Sequence, residues 1–192
     1  MRLFIALDID DHIRRRLADY VARLNSLVPN VKWVRPESLH VTLKFIGEFP
    51  EARLGELTPV LSTISGQPFN LSFRTAGFFT PRSPRIFWAG IEAGHELKAL
   101  AAAVDQAVTP LGIAKEDRDF APHLTLARSG SGRPHGAASD RNKPVMYGLQ
   151  ARVEAMPPPD FGTMTAREFF LYQSKTAPTG AVYTKLERFP LG

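Results

Sequence analysis

The sequence contains no cysteine among its 192 residues. Disulfide bonds, thiolate metal sites and catalysis by a cysteine nucleophile are therefore excluded. A chain without disulfides suits the cytosol, and we expect a cytoplasmic protein. Long apolar runs are missing as well, because the N-terminal run 3–7 is cut off by Asp8, Asp10 and Asp11. That run is too short for a signal sequence or a membrane span, so we expect no membrane partner.

The composition is that of an ordinary globular protein, with 44% hydrophobic and 22% charged residues. A chain of this length forms one domain, or two small halves that pack closely, and it can bury a sizeable core. Its formal net charge of +5 favours a polyanionic partner or a phosphorylated substrate. Solubility alone would explain the same charge equally well, so the charge does not identify a function.

A repeated segment organises the chain. The sequence HVTLKF at 40–45 returns as HLTLAR at 123–128, 83 positions later. Without a gap, the same offset aligns 2–45 with 85–128 and gives twelve identities, whereas random matching would give about three. We therefore predict an internal duplication within a single bilobal domain that spans 1–192. The identical residues of the first copy are Arg2, Phe4, Ala6, His12, Leu17, Ala18, Val21, Lys32, Arg35, His40, Thr42 and Leu43.

Hydrophobic periodicity predicts a strand, a helix and a second strand in each copy, with the second helix at 95–111. Between the copies we expect a helix at 51–65, kinked or started late by Pro59, a strand at 69–74 and a connection at 77–85. After the second copy we expect a flexible segment at 129–144. Strands at 149–156, 168–174 and 182–189 should follow, the last two joined by a hairpin. This pattern predicts an α+β fold with two lobes related by a pseudo-two-fold axis and a cleft between them.

The repeated motif places polar residues on one face of a strand. Because side chains alternate between faces, His40, Thr42 and Lys44 should share one face, and the apolar residues at 41, 43 and 45 should face the core. In the second copy His123 and Thr125 likewise share a face. A single copy is typical of a half-buried strand with polar residues toward solvent. Retention of the polar histidine and threonine in both copies favours a functional role.

Two opposed histidines suit in-line displacement at phosphorus, which needs a base on the attacking side and an acid on the leaving side. Each threonine hydroxyl can donate a hydrogen bond to a non-bridging phosphate oxygen. Two histidines without a carboxylate pattern make a poor zinc site. Asp117 and Asp119 are candidate additional ligands, but a solvated loop explains them better. We therefore predict no metal and no cofactor.

The motifs HVTLKF and HLTLAR resemble the paired H-x-T/S-x signatures of the two-histidine (2H) phosphoesterase superfamily. The stretches RLFIALDI, WVRPESLHVTLKFIGE and DFAPHLTLAR resemble its LigT-like branch, the RNA 2′,3′-cyclic phosphodiesterases first known as 2′-5′ RNA ligases. The resemblance covers essentially the whole chain. It implies two antiparallel sheets that form a V-shaped cleft, with one motif in each lobe and the helices outside. It also implies metal-independent hydrolysis of a terminal 2′,3′-cyclic phosphate to a 2′-phosphate, with reversible 2′-5′ RNA ligation as a side activity.

The resemblance also implies roles for the motif residues. By position, His40 is expected to be the proton donor to the 3′ leaving oxygen, and His123 the base that activates water. Thr42 and Thr125 are expected to hold the phosphate. The pseudo-symmetry of the two copies does not by itself assign the acid and the base. Because one chain supplies both motifs, no dimer is needed to build the site, and we expect a monomer.

Five further residues are candidates for substrate binding. Arg128 could clamp a phosphate or the RNA backbone, although strict alternation points it away from the catalytic face. Phe120 could stack on the terminal base or could equally be a core aromatic. Lys44, Tyr183 and Trp33 are candidates for the rim of the cleft.

The remaining histidines have simpler interpretations. His12 and His95 match across the repeat but lie near helix starts, where we interpret them as surface or packing residues. His135 lies in the segment expected to be flexible, and we expect it to be inert.

Two alternative functions remain open. One is a phosphodiesterase that acts on 2′-5′ oligonucleotides or on small cyclic nucleotides such as ADP-ribose cyclic phosphate. The other is a nucleotide-binding or RNA-binding module without turnover. The intact pairs of histidine and threonine argue against the second alternative, because binding alone would not require two imidazoles.

Overall fold

Two four-stranded antiparallel sheets carry the fold, which a computed structural model describes for residues 1–129, 143–177 and 180–192. In chain order the strands are β1 (Arg2–Leu7), β2 (Val41–Glu48), β3 (Phe69–Phe79), β4 (Ile86–Ala93), β5 (His123–Arg128), β6 (Asp160–Ala166), β7 (Glu168–Ala177) and β8 (Gly180–Pro190). The first sheet has the order β2-β1-β7-β8 and the second has the order β5-β4-β3-β6. Each sheet therefore contains one of the two repeated motifs, and the predicted α+β class with antiparallel sheets is confirmed.

One apolar core is shared by both sheets and the helices. In β1 the side chains of Leu3, Ile5 and Leu7 are 1% exposed or less and belong to this core. Phe4 and Ala6 point to the opposite face, where they form a separate small cluster. Because strand side chains alternate, one face of the first sheet is committed to the core and the other is left for the cleft.

The helices in the described ranges are α1 (Asp11–Leu27), α2 (Leu57–Ser62), α3 (His95–Val108) and α4 (Lys143–Glu154). The two longest pack across the lobes: α1 contacts β6 of the second sheet, and α3 contacts β2 of the first. In the α1 contact the rings of Tyr20 and Phe161 meet edge-on with centroids 5.2 Å apart. The helices therefore lie on the core side of the sheets, outside the cleft as predicted, and they join both lobes to one core. None of the described helices is long and apolar enough to cross a membrane.

Strand pairing does not follow the gapless repeat throughout. Thr42 lies opposite Ala6 in the first sheet, and Thr125 lies opposite Trp88 in the second. If the two threonines are equivalent, Ala6 corresponds to Trp88, which is 82 positions away rather than 83. With the motifs aligned at an offset of 83, the gapless alignment therefore does not match residues that occupy equivalent positions in β1 and β4.

The same correction applies to the identities and to the helices. Phe4 and Phe87 are identical in the gapless alignment, yet Phe4 faces the cleft and Phe87 belongs to the core. The helices superimpose their buried positions at an offset of 84: Ile13, Leu17, Tyr20 and Leu24 in α1 with Leu97, Ala101, Val104 and Val108 in α3. The two lobes thus share one arrangement of strands and helix, and their origin by duplication stays a prediction.

Some predicted elements differ from those observed. The predicted strand at 149–156 is wrong, because this segment lies mostly in α4. Met146 and Leu149 of this helix are buried, and their spacing of three residues places them on one helical face. The strand β6 was not predicted, and β3 continues beyond the predicted 69–74 to Phe79. The predicted late helix start near Pro59 is confirmed, since a 3₁₀ segment at Glu51–Glu56 precedes α2.

Two predictions concern segments that the structure describes only in part. Most of the segment predicted to be flexible, 129–144, including His135, lies outside the described residues. The hairpin between the last two strands is confirmed by the antiparallel pairing of Ala177 with Gly180, although the turn residues themselves lie outside the described ranges.

Candidate active site

A cavity of about 380 Å³ opens where the two sheets face each other. It is lined by residues of both repeated motifs and of both chain-terminal strands: Arg2, Leu3, Phe4, Val34, His40, Thr42, Phe45, His123, Thr125, Arg128, Ser174, Thr176, Ala181 and Tyr183. The structure therefore brings together both histidines, both threonines and two of the predicted binding residues, Arg128 and Tyr183. Phe120 and Trp33 instead pack against the apolar core, which agrees with the core interpretation of Phe120.

A β-bulge turns Arg128 into the cavity. Trp88 lies opposite Thr125 and Phe87 lies opposite Ala127, so Leu126 is an extra residue in β5. An extra residue shifts the alternation of side chains by one position. Leu126 and Ala127 are consequently both buried, and the next side chain, Arg128, reaches the face that carries Thr125.

The first sheet has a bulge at the corresponding place, and it corrects the predicted faces of Lys44 and Phe45. Ala6 lies opposite Thr42 and Ile5 lies opposite Lys44, which leaves Leu43 as the extra residue. Phe45 is 59% exposed and lines the cavity, although it was predicted to face the core.

Lys44 was predicted to share the catalytic face, and this prediction is wrong. Its side chain is only 4% exposed, and its Nζ lies 2.5 Å from Oδ1 of Asp105 on α3. The same ammonium donates a hydrogen bond to the carbonyl of Ala114 at 2.6 Å. Lys44 is therefore part of the core that joins β2 to α3, and it is not among the described residues that line the cavity.

Both histidines are oriented in the same way. His40 Nδ1 lies 2.7 Å from the carbonyl oxygen of Ser38, and His123 Nδ1 lies 2.9 Å from that of Ala121. A carbonyl oxygen can only accept, so Nδ1 of each ring carries the proton and donates it. This tautomer leaves Nε2 of each imidazole free to exchange a proton with a substrate.

Burial favours the neutral form of both imidazoles. Burial lowers the pKa of His40 to about 4. The hydrogen bond to Ser38 and the negative charge of Asp8 oppose this shift, and the charges of Arg128 and His123 add to it. The pKa of His123 is also lowered, first by burial and further by the charge of Arg128. An anion in the cavity would act in the opposite direction, because a nearby negative charge stabilises an imidazolium.

Aromatic rings surround the two histidines unequally. His40 lies 4.7 Å from the ring of Phe4 and 5.1 Å from that of Tyr183, measured between centroids. His123 meets one ring edge-on, that of Phe79 at 4.7 Å. Phe79 was missed in the sequence because 77–85 was interpreted as a connection between elements. Continuation of the apolar pattern beyond 74 was the signal that could have revealed it.

Arg14 fixes the turn that orients His40, a role that its position outside the helix stripe did not reveal. Its guanidinium donates to the carbonyls of Pro36 at 2.5 Å and Leu39 at 3.5 Å, on either side of Ser38. It also pairs with Asp8 at 2.7 Å. Arg14, on helix α1, therefore holds the turn whose Ser38 carbonyl accepts the hydrogen bond from His40 Nδ1.

The other predicted polar residues lie apart from this cavity. His12 Nε2 lies 3.1 Å from the carbonyl of Thr163, and the His95 side chain is 90% exposed, in agreement with their interpretation as packing and surface residues. Asp117 and Asp119 are exposed. Within the described residues, no group of three or more histidine, aspartate or glutamate side chains is placed to hold a metal ion.

Comparison with known proteins gives a consistent result. The family model described as LigT like Phosphoesterase matches residues 7–88 and 91–183. A protein of Archaeoglobus fulgidus named RNA 2′,3′-cyclic phosphodiesterase is 38% identical over 190 residues, which cover 98% of this chain and 99% of that protein. A protein of the same name from Methanothermobacter thermautotrophicus is 33% identical, with 100% of this chain and 99% of the relative covered.

Solved structures show the same similarity in three dimensions. The crystal structure of TT0787 from Thermus thermophilus superimposes with a TM-score of 0.78 and 29% identity, covering 99% of this chain and 97% of that one. Escherichia coli LigT in complex with 3′-AMP superimposes with a TM-score of 0.77 and 28% identity, with the same coverage of 99% and 97%.

Proposed function

Because the chain belongs to the LigT-like family of phosphoesterases, we propose that it hydrolyses the 2′,3′-cyclic phosphate at the end of an RNA to a 2′-phosphate. One observation carries the proposal: two histidines and two threonines from different sheets line a single cavity, and both histidines use Nδ1 for a backbone hydrogen bond, which leaves Nε2 without a hydrogen-bond partner among the described residues. The relatives that match the whole chain are named for this activity.

In the proposed reaction His123 is the base and His40 is the acid. Nε2 of His123 takes a proton from water as the water oxygen forms a bond to phosphorus. Nε2 of His40 gives its proton to the 3′ oxygen as the bond between that oxygen and phosphorus breaks. His40 must be protonated at the start, and the negative charge of the bound cyclic phosphate favours this form against the effect of burial.

The remaining cavity residues stabilise charge on the phosphate. The hydroxyls of Thr42 and Thr125 face the cavity, where each can donate to a non-bridging oxygen. Arg128 lies beside Thr125, with Nη2 3.5 Å from its Oγ1, and brings a positive charge to the same place. Tyr183 closes the side of the cavity next to His40. In the proposed mechanism these groups stabilise the developing negative charge without a metal ion.

The same chemistry gives a second candidate activity. If a ribose 5′-hydroxyl attacks the phosphorus in place of water, His123 would take its proton and His40 would protonate the same 3′ leaving oxygen, so that the two RNA ends would be joined by a 2′-5′ bond. The alternative substrates, 2′-5′ oligonucleotides and small cyclic nucleotides, use the same chemistry. We further propose that the enzyme acts as a monomer, because one chain supplies both histidines and both threonines of the cavity. We also propose that it acts in the cytoplasm, which a chain without cysteine suits.

The test is hydrolysis of an RNA oligonucleotide that ends in a 2′,3′-cyclic phosphate, with and without EDTA. His40→Ala and His123→Ala should each lower kcat/KM by about 10²–10⁴-fold, the usual contribution of general acid–base catalysis. The exposed His95 provides the matched control, and His95→Ala should keep the wild-type rate. Product analysis should show a 2′-phosphate. A kcat/KM within about tenfold of the wild-type value in either cavity variant would refute the two-histidine mechanism. Inhibition by EDTA that zinc reverses would indicate a metal enzyme.

A further inference from the structure

The charge of the cavity exceeds what one cyclic phosphate needs. Its described lining includes two arginines, Arg2 and Arg128, and no aspartate or glutamate. A cyclic phosphate diester carries a single negative charge, which Arg128 and the two threonines can already meet. A cleft with two cations and no carboxylate favours a ligand that carries at least two negative charges.

Arg2 stands apart from the groups that surround the reacting phosphate. It begins β1, four residues before Ala6, the residue opposite Thr42. Four residues of strand correspond to about 13 Å between the Cα atoms. Arg128, by contrast, lies in the second sheet beside Thr125. Arg2 therefore begins on the first sheet, four residues along β1 from the level of Thr42, whereas Arg128 begins on the second sheet beside Thr125.

Hydroxyl groups lie next to Arg2 on the cavity face of the first sheet. Arg2 pairs with Ser174 of β7, and Ser174 pairs with Tyr183 of β8. Residues directly opposite each other in a sheet share a face, so these three side chains form a row across the first sheet. All three line the cavity, as does Thr176. A guanidinium with neighbouring hydroxyls is a set of donors suited to phosphate oxygens.

The Arg2 guanidinium is not neutralised by a neighbouring acid. Among the described residues, no carboxylate oxygen lies within salt-bridge distance of it, whereas Arg14, Arg35, Arg53, Arg74 and Arg188 each have such a partner. Burial lowers the pKa of Arg128, the nearby Tyr183 opposes the shift, and the charge of Arg2 adds to it. The two cations thus repel each other, and an anionic chain bound between them would relieve this repulsion.

We propose that Arg2, together with Ser174, binds a second phosphate of the substrate, the phosphodiester on the 5′ side of the nucleotide that carries the cyclic phosphate. The inference rests on the proposed function and extends it, because it makes RNA of at least two nucleotides the preferred substrate. A nucleoside 2′,3′-cyclic monophosphate offers nothing to Arg2. A dinucleotide with the same end offers one phosphodiester at the required side.

The experiment compares kcat/KM for a nucleoside 2′,3′-cyclic monophosphate with kcat/KM for a dinucleotide that ends in the same cyclic phosphate. The wild-type enzyme should prefer the dinucleotide by about tenfold or more, the usual effect of one charge-assisted hydrogen bond. In Arg2→Gln this preference should fall to about one- to twofold. The substitution should lower kcat/KM for the dinucleotide and leave that for the monophosphate unchanged, and the decrease should arise mainly from a higher KM.

Salt dependence separates phosphate binding from a structural effect of the substitution. Each neutralised phosphate of a single strand contributes about 0.7 to the slope of log affinity against log salt. The slope for the dinucleotide should therefore decrease by about that amount in Arg2→Gln. Lys175→Gln is the matched control, because Lys175 neighbours Ser174 in β7, is exposed and lies outside the described lining of the cavity. This control should keep both the preference and the slope.

The possible outcomes separate the two levels of the proposal. If the wild-type enzyme hydrolyses neither substrate, the proposed function itself fails. If it hydrolyses both equally well, or if Arg2→Gln lowers both by the same factor, the second phosphate site is refuted and the proposed function stands. ADP-ribose cyclic phosphate carries a pyrophosphate that could use the same arginine. A preference that depends on Arg2 for this compound alone would overturn the assignment to RNA.

Discussion

The two lobes use the same backbone device for different side chains. In each, a bulge after the threonine of the motif buries the next two residues and turns the third into the cavity. The first lobe thereby buries Lys44 and presents Phe45, whereas the second buries Ala127 and presents Arg128. The histidine and threonine are common to both lobes, so the difference lies in the position that the bulge exposes. One lobe offers an apolar ring there and the other a cation.

The lobes also differ in how they enclose their histidines. His40 lies among Phe4, Tyr172 and Tyr183, and its pKa falls to about 4 mainly because of burial. His123 has only Phe79 as an aromatic neighbour among the described residues, and its pKa is lowered as well. Two rings with the same hydrogen bond at Nδ1 are therefore placed in different surroundings. The comparison predicts that their variants behave differently.

The largest expected effect concerns the pH dependence of the two histidine variants. In His40→Ala the remaining requirement is a neutral His123, so the residual kcat/KM should rise with pH, with a midpoint below the ordinary histidine pKa because the pKa of His123 is lowered by burial. In His123→Ala the remaining requirement is a protonated His40, so the residual kcat/KM should fall as pH rises above about 4. Each variant should have lost about 10²–10⁴-fold at its optimum. Rates measured between pH 4 and 8 provide the check, and exchanged profiles would mean that the acid and base roles are reversed.

The next effect concerns the buried residue after each bulge. Lys44→Met leaves Asp105 charged and uncompensated in the core, and we expect the free energy of unfolding to fall by about 3–5 kcal/mol. Urea denaturation measures it. The double variant Lys44→Met, Asp105→Leu should recover most of the loss, because apolar residues can replace a buried ion pair at little cost. A decrease below about 1 kcal/mol in the single variant would show that the ion pair does not hold β2 to α3.

The smallest effect concerns the residue that each bulge exposes. Arg128→Gln removes a charge beside the phosphate, and we expect kcat/KM to fall about 10–100-fold. Since the charge of Arg128 lowers the pKa of both histidines, the acidic limb of the pH profile should also move to higher pH. Phe45→Gln at the corresponding position removes no charge. It should lower kcat/KM only about fivefold and leave the acidic limb of the pH profile unchanged. An equal shift of this limb in both variants would contradict the proposed difference between the lobes.

The sequence was most informative where a polar pattern occurs twice. His40, Thr42, His123 and Thr125 could be predicted because both copies keep them, and the structure places all four around one cavity. Strand alternation then failed after the threonines, because one extra residue in a strand reverses every later side chain. A bulge is visible only in the pairing with the neighbouring strand, which explains the error at Lys44.

The other omissions also depend on contacts between distant segments. Arg14 looks like a solvated arginine on α1 until the turn at Pro36–Ser38 is packed against it. The helix α4 was interpreted as a strand because its apolar residues are few and short apolar patterns do not distinguish the two periodicities. The gapless alignment of the two copies failed in β1 for a related reason. Sequence identities do not show which residues occupy equivalent positions in the fold, whereas the pairing of β1 with β2 does.

The position of β1 in the middle of the first sheet has a consequence for the order of folding. One neighbour, β2, is close along the chain, but the other is β7, where Ser174 pairs with Arg2. The second sheet also has one distant pairing, that of β3 with β6, but β6 joins only at the edge and β3, β4 and β5 follow one another along the chain. Contacts between distant segments form late, because closing a long loop costs entropy before the contact stabilises it. During synthesis on the ribosome, the half with His123 can therefore organise its central strands first. The half with His40 gains its second inner strand only after the ribosome has passed position 177, so catalytic competence comes last.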